Sequence, residues 1–331
     1  MLPRLAARLA WSLFTVWAVL TLTFFIFNWL PGDPARVMAG PQARPADVEV
    51  IRKQLGLDQP LPVRYGRFVA QLVHFGGDGE AHPNATRLGP ISLDLGESYL
   101  QRKPVTVLLG RAIGPTLLVG ILALAIQVSV GILFGVMAAY RRHTVFDWGA
   151  VGLTLIGISA PTFLSGLLLQ HVFARWLGWF PLDGYGESDS EILKAAFLPS
   201  LTLGLYGAAY YTRLVRDEMI TLLGSGYVRT ARAKGLSEAV VVFKHALRNA
   251  LVPLVTVIGM NIGTLVGGAI VTERIFRWPG VGTLTVNAIF DRDGPVVIGV
   301  VLLFAVAVVL SNLLVDVSYA ALDPRVRSRS R

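Results

Sequence analysis

The chain has 331 residues, 53% of them hydrophobic and only 15% charged, with a formal net charge of +9 and a mean hydropathy of +0.59. Soluble domains carry about a quarter charged residues, so an ordinary pair of soluble domains is excluded, and so is disorder. With no cysteine at all, a disulfide scaffold and any thiolate metal centre are excluded too. What remains is a polytopic membrane protein.

In chain order, Trp11 to Leu30 is a first apolar span of 20 residues, about the length that crosses a bilayer. It exceeds the roughly 7–15-residue core of a cleaved signal peptide. Leu30-Pro31-Gly32-Asp33-Pro34 reads as a helix stop, so the span is expected to stay in the membrane. Residues 31–108 are rich in proline and mixed in charge, and they read as a small extracytoplasmic domain. Within them Ala46 to Leu55 predicts a short helix, with Asp47 and Glu49 in its first turn and Gly56 at its end.

Five further spans follow. Ala112 to Tyr140 is longer than a bilayer core of about 30 Å demands, so it must tilt or run into the interface. Phe146 to Ala174 is interrupted by Pro161. Ala195 to Thr212 is short and broken by Pro199, Gly204 and Gly207. Ala250 to Val271 and Pro295 to Val317 complete an all-α membrane protein with six transmembrane helices.

The charge reports topology. Arg4 and Arg8 precede the first span, Arg141 and Arg142 close the second, and Arg213, Arg216, Arg229, Arg232, Lys234, Lys244 and Arg248 lie between the fourth and fifth. Arg325, Arg327, Arg329 and Arg331 end the chain. The positive-inside rule then puts both termini in the cytoplasm. Nine basic residues in the long loop do not contradict this, because loops beyond about 60 residues translocate largely regardless of charge. The basic residues bracket spans instead of gathering on one face among stacking aromatics, so nucleic acid is not an expected partner.

Catalysis is not expected. There is no phosphate-binding Gly-x4-Gly-Lys-Ser/Thr, and no glycine-rich turn follows a strand. The five histidines are scattered without metal-ligand spacing. Charges are nearly absent from span centres, where carriers and pumps place them. The polar residues there include Gln127 and Asn261, which read as interhelical hydrogen-bonders or, on a functional reading, as lining of a substrate path. Gly259, Gly263 and Gly267 recur at spacing four on one helical face, which permits close helix packing or sliding during gating. Gly131 and Gly135 repeat the spacing once.

The inside loop from about 224 to 249 is the most informative segment. A short helix through Ala231 would end at Gly235, which suits a C-cap, and Ser237 would start a second helix running toward Pro253. Arg229, Arg232 and Lys234 favour an anionic inner surface. Ala231, Ala233 and Gly235 leave room for a partner's groove.

Tyr227-Val228-Arg229-Thr230-Ala231-Arg232-Ala233-Lys234-Gly235 resembles the "EAA loop" of ABC importer permeases, in the form found in the dipeptide/oligopeptide/nickel permease family. Leu30-Pro31-Gly32-Asp33-Pro34 resembles the LPGDP of that family. Glu273-Arg274-Ile275-Phe276-Arg277-Trp278-Pro279-Gly280-Val281-Gly282 resembles its E-x-x-F-x-W-P-G-x-G, and Asp323-Pro324-Arg325 its DPR-containing tail. The general motif differs in two places: Arg229 stands at its glutamate, and His245-Ala246-Leu247-Arg248 at its Ile-x-Leu-Pro.

The resemblance implies a type I ABC importer permease fold in the bacterial inner membrane. It divides the chain into an N-terminal helix (1–30), an extracytoplasmic loop domain (31–108), a permease domain (109–320) and a basic tail (321–331). It also implies a heterodimer with a homologous second permease, two ABC ATPases that use ATP and Mg, and an extracytoplasmic substrate-binding protein. No cofactor is expected on this chain. Tyr227 to Gly235 and His245 would form the ATPase-coupling loop, and Glu273, Phe276, Trp278, Pro279 and Gly280 the outer mouth. The solute would be a di- or oligopeptide, with nickel, glutathione or another small solute as the alternative. A self-sufficient channel or proton-coupled carrier is the reading from a different class.

Overall fold

A computed structural model describes residues 2–29, 32–40, 42–75, 86–88 and 91–322. In chain order, α1 (Leu2–Trp29) is followed by three short helices, α2 (Pro34–Ala39), α3 (Pro45–Gln54) and α4 (Leu61–Leu72). Strands β1 (Val73–Phe75), β2 (Thr86–Leu88) and β3 (Ile91–Leu93) come next. Then follow α5 (Val105–Tyr140), α6 (Val145–Ser159), α7 (Thr162–Leu169) with a π-helical extension over Gln170–Trp176, and α8 (Asp189–Leu223). α9 (Gly226–Ala233), a π-helical segment (Val240–Leu247), α10 (Arg248–Ile275), α11 (Val281–Phe290) and α12 (Gly294–Leu322) end the order.

Among the described residues, five helical segments can cross a membrane by length and composition: Ala10–Trp29, α5, α8, Val240–Gly259 and Gly294–Leu313. A sixth is the pair Val145–Ser159 and Thr162–Trp176, bent by 104°. The bend falls at Ala160-Pro161, where proline forces the preceding residue out of the α region; Ala160 is extended at φ −74°, ψ 128°. Pro115, Pro199 and Pro253 lie inside helices that continue past them.

The chain forms two compact units, one comprising residues up to Pro115 with Gly280–Val309, the other Thr116–Pro279 with residues from Leu310 onward. The sequence division at residue 109 differs, because it groups the segment after Gly280 with the second domain. In the first unit Val105, Leu108, Leu109 and Ala112 bury against Val281 and Ala288 of α11 and Val296, Val297 and Val300 of α12. α11 itself is not anticipated from sequence, since ten residues are too few to register as a span. Leu20 and Phe24 of α1 pack with Ile298, Tyr65 and Phe68. Buried Asp293 accepts the Ser98 hydroxyl at 2.5 Å and the Tyr99 N–H at 3.1 Å, anchoring the approach to α5.

The proline-rich stretch has local order that its sequence explains. Asp33 caps α2 by accepting the Ala35 N–H at 3.0 Å, with Pro34 at the first helical position. α3 matches the expected short helix, with Asp47 in its first turn and Arg52 and Lys53 in its last, the polarity the helix dipole favours. The strands form an antiparallel sheet here, in the order β1-β3-β2, with β3 pairing Val73↔Leu93 and Thr86↔Leu93.

In the second unit α8 is the central element. The short, broken span expected there is corrected: α8 runs unbroken for 35 residues, about 52 Å at 1.5 Å per residue. It starts with a capping box in which Ser188 and Glu191 satisfy each other's backbone N–H groups. Gly204 and Gly207 do not break it, because glycine is tolerated in membrane helices. They serve instead as contact points for α5.

A Cβ on Gly131 would sit 2.5 Å from Tyr211 Cβ, and one on Gly135 2.7 Å from Val215 Cβ. From the other side, a Cβ on Gly204 would sit 2.7 Å from the Ile126 side chain, and one on Gly207 would collide with the Gln127 amide. Helices in lipid gain little from burying apolar surface, so close packing of this kind carries their association. Tyr211, Val215 and Met219 join Val136, Ala139, Val242, Ala246, Ala250 and Leu254 in one core.

Leucine at Gly131 or Gly135 is expected to destabilise the second unit by about 1–3 kcal/mol, the usual cost of overpacking. Gly149→Leu is the control, because an added Cβ there meets nothing within 4 Å. Thermal unfolding in detergent should separate the two classes by several degrees.

Candidate coupling surface

α9 presents two faces. Val228 and Ala231, three residues apart and therefore on one side, are buried against Val241 and Leu223. Tyr227, Arg229, Thr230, Arg232, Ala233 and Lys234 are exposed. The expectation that Ala231 contributes to a partner's groove is corrected by this geometry: its methyl group packs inward against its own chain.

The surface is held from both ends. Gly235 ends the helix at φ +76°, a conformation that costs other residues about 1–2 kcal/mol. Its N–H donates to the Arg232 carbonyl at 2.9 Å, and Leu236 N–H to that of Ala231 at 3.4 Å. The Arg232 guanidinium reaches across the turn to Glu238, with Nε–Oε1 at 2.8 Å and Nη2–Oε2 at 3.3 Å. Being exposed, this pair orients the turn more than it stabilises it.

At the other end the Tyr227 hydroxyl donates to the His245 carbonyl at 3.3 Å. Asn249 Nδ2 donates to that carbonyl and to the Tyr227 hydroxyl, both at 3.1 Å. His245 thus belongs to the loop through its backbone. Asn249 completes the clamp and was not singled out in the sequence, although its i+4 spacing from His245 is the signal that places them together.

α9 follows α8 after Gly224 and Ser225, and α8 is fastened to α6. The Arg216 guanidinium grips Asp147 two-fold, Nε–Oδ1 at 2.6 Å and Nη2–Oδ2 at 3.0 Å. The Asp147 side chain is 5% exposed and that of Arg216 20%. His143, in the left-handed region at φ 67°, donates its N–H to the same carboxylate at 3.0 Å. An Arg–carboxylate fork of this kind fixes orientation as well as charge. The pair is 69 residues apart in the chain, and the sequence analysis used Arg216 only to count charge.

The remaining candidates divide clearly. Gln127 is buried, its Nε2 donating to the Leu203 carbonyl at 3.1 Å; it braces α5 on α8, the packing role its sequence also allowed. Asn261 donates to the Tyr211 hydroxyl at 3.2 Å and is only partly buried. Gly259 is buried in α10, while the surroundings of Gly263 and Gly267 lie outside the described residues. Leu30, Pro31 and the Asp323 to Arg327 tail motif also lie outside them.

Three of the five residues expected at an outer mouth are fully enclosed side chains. Glu273 is 0% exposed and accepts the Thr116 hydroxyl at 2.6 Å. Phe276 packs with Ala174 and Leu198, and Trp278 with Val119, Ala123 and Leu203. The segment is an internal clamp, and the Phe276 carbonyl accepts the Gly184 N–H at 3.1 Å. Pro279 is exposed, and Gly280 is the N-cap residue of α11. Phe276 and Trp278, three and five residues after Glu273, are thus held by packing.

The chain thus combines a bundle of apolar helices with a short exposed helix joined to two of them. Residues 131–328 match the family described as binding-protein-dependent transport system inner membrane component, and residues 1–119 match its N-terminal membrane component. The chain belongs to this family and is an ABC importer permease of the inner membrane.

A protein of Brucella abortus (strain 2308) named as a peptide transport system permease is 41% identical over 323 residues, covering 97% of both chains. The glutathione transport system permease protein GsiC of Escherichia coli O6:H1 is 40% identical over 327 residues, covering 99% of both. Among solved structures, the inward-facing MetNI methionine ABC transporter aligns with a TM-score of 0.55 at 20% identity, over 66% of this chain and 98% of that one. That likeness shows the fold.

Asp147→Asn removes the charge that holds Arg216 and is expected to cost roughly 2–3 kcal/mol. This is below the 3–5 kcal/mol of a fully buried broken pair, because Arg216 keeps some solvent. Pairing it with Arg216→Leu should recover part of the loss in a double-mutant cycle of melting temperatures. At Gly235, asparagine should be tolerated and valine should lower expression of folded protein, since only the backbone angle is at stake there.

Proposed function

We propose that this chain forms half of the path by which di- or oligopeptides cross the cytoplasmic membrane, beside a homologous second permease. Two cytoplasmic ATPases supply the energy, ATP and Mg being bound by them alone, and an extracytoplasmic binding protein delivers the solute. Both termini lie in the cytoplasm, and the α2–β3 region lies outside. The observation that carries the coupling role is the exposed basic face of α9, clamped at Tyr227, Arg232 and Gly235 and continuous with α8 at one end and the segment leading to α10 at the other.

The mechanism follows from stiffness. Displacement of α9 by a closing ATPase pair is transmitted to α8 through two residues, and to α10 through the Tyr227–His245–Asn249 hydrogen bonds. α8 carries α5 along through the glycine contacts and α6 through the Asp147–Arg216 fork. Two packings of the bundle are then biased by a remote nucleotide. Asn261 is the path residue of this reading, while Gln127 moves with the packed pair. Gly259, Gly263 and Gly267 give α10 a face along which it shifts.

Relatives named for peptide transport support the peptide reading. A relative named for glutathione transport, of equal coverage, supports glutathione as the second reading; it is itself a short peptide with carboxylate ends.

In proteoliposomes holding the full assembly, Lys234→Glu together with Arg229→Glu should lower ATP-driven uptake of a labelled tripeptide at least tenfold, with the melting temperature unchanged. Uptake unchanged by the charge reversal would remove α9 from the coupling path. Competition by unlabelled glutathione below the concentration needed for an alanine tripeptide would favour the second solute.

A further inference from the structure

The first unit encloses a cavity of about 630 Å³ between the end of α1, the α3–α4 turn, the segment 94–99 and the start of α12. Its floor is apolar, made by Phe24, Phe27, Phe68 and Ile298, and its wall is cationic, with Arg52, Lys53, Arg64 and Arg67. Two acids share the wall, Asp33 and Asp94. Asp33 is already engaged, by the Arg52 guanidinium and by the Ala35 N–H. Asp94 accepts the Gly96 N–H at 2.8 Å.

Arg64 and Arg67 have no ion-pair partner among the described residues. They stand three apart on one face of α4, so two guanidinium forks address the same space. Arg64 is half-buried, and burial pulls its pKa below the ordinary guanidinium value, with the nearby Tyr99 phenol opposing that shift. Arginine does not resolve such a cost by losing its proton; it resolves it by finding an anion. Tyr99 lines the same wall, and so does Gln59, whose buried Oε1 lacks a partner. A half-turn of the Gln59 amide presents its NH₂ group instead.

We propose that this cavity is an oxyanion-binding site for a phosphate group, held by Arg64 and Arg67 with Tyr99 as a further donor. A tetrahedral anion accepts from two forks at once, which a single aspartate of the wall does not do for both. The phosphate belongs to an anionic phospholipid headgroup, whose acyl chains would meet the apolar floor, or to free phosphate. The site stands whether the transported solute is a peptide or glutathione.

The test uses the assembled transporter in phosphatidylcholine nanodiscs. Retained phosphatidylglycerol is counted by native mass spectrometry, and melting is followed against sodium phosphate with sodium chloride as the ionic-strength control. Arg64→Gln with Arg67→Gln should lower lipid retention about tenfold or more, the loss typical of charge-assisted hydrogen bonds. If the ligand is free phosphate, retention stays equal and only the native chain is stabilised by phosphate over chloride.

Tyr99→Phe keeps both guanidinium groups and the packing, so it guards against misfolding. It should melt as the native chain does and bind about three- to tenfold more weakly, the loss expected of one hydrogen bond. Equal lipid retention and equal phosphate response in native and arginine-variant assemblies would overturn the proposal, as would binding unchanged by Tyr99→Phe alongside a non-specific loss of melting in the double variant.

Discussion

Close approach of α5 and α8 is the constraint on which the second unit depends. Lipid offers helices little hydrophobic reward for leaving it, so their association rests on packing and on a few polar contacts. Gly131 and Gly135 remove the side chains that would hold Tyr211 and Val215 away. Once the backbones are that near, Gln127 reaches the Leu203 carbonyl and Tyr211 is positioned to accept from Asn261 of α10. A single helix of 35 residues thereby gains defined partners in α5 and α10.

The polar contacts then decide direction more than strength. The Asp147–Arg216 fork ties α8 to α6 near the end of α8 that leads into α9. The acidic capping box sits at the opposite end, at Ser188 and Glu191. Between them α8 is about 52 Å long, well beyond a hydrocarbon core of about 30 Å, so on the proposed reading it reaches past the bilayer to meet α9 outside it. The inner face of this eight-residue helix, Val228 and Ala231, is packed on Val241, which under the proposed coupling role would let the helix act as a lever with its outer face left to a partner.

The sequence was most legible where length and apolarity decide alone. The described residues of the first, second, fifth and sixth spans lie within helices, and the break at Pro161 is where the chain bends. α8 was legible in position and misread in extent, because Pro199, Gly204 and Gly207 were weighed as breakers when a packed membrane helix absorbs them. The three-residue strands and α11 are too short to leave a periodic signal. The short helix of the inside loop and its end at Gly235 were legible, and Gly235 has the positive φ of a C-cap. What was missing is whatever depends on long-range pairing: the Asp147–Arg216 fork, the inward face of Ala231, and the enclosure of Glu273 and Trp278.

The account centres on α9 as the surface that partner ATPases grip. The natural chain has no cysteine, so one introduced thiol is unique on this subunit. The most direct measurement places it at exposed Ala233, or at Glu187 beside the far end of α8, and identifies bifunctional thiol–amine cross-links by mass spectrometry in the assembled transporter. The account predicts adducts between position 233 and the ATPases, changing with bound nucleotide, and none from position 187. ATPase adducts from position 187, or none from position 233, would contradict it.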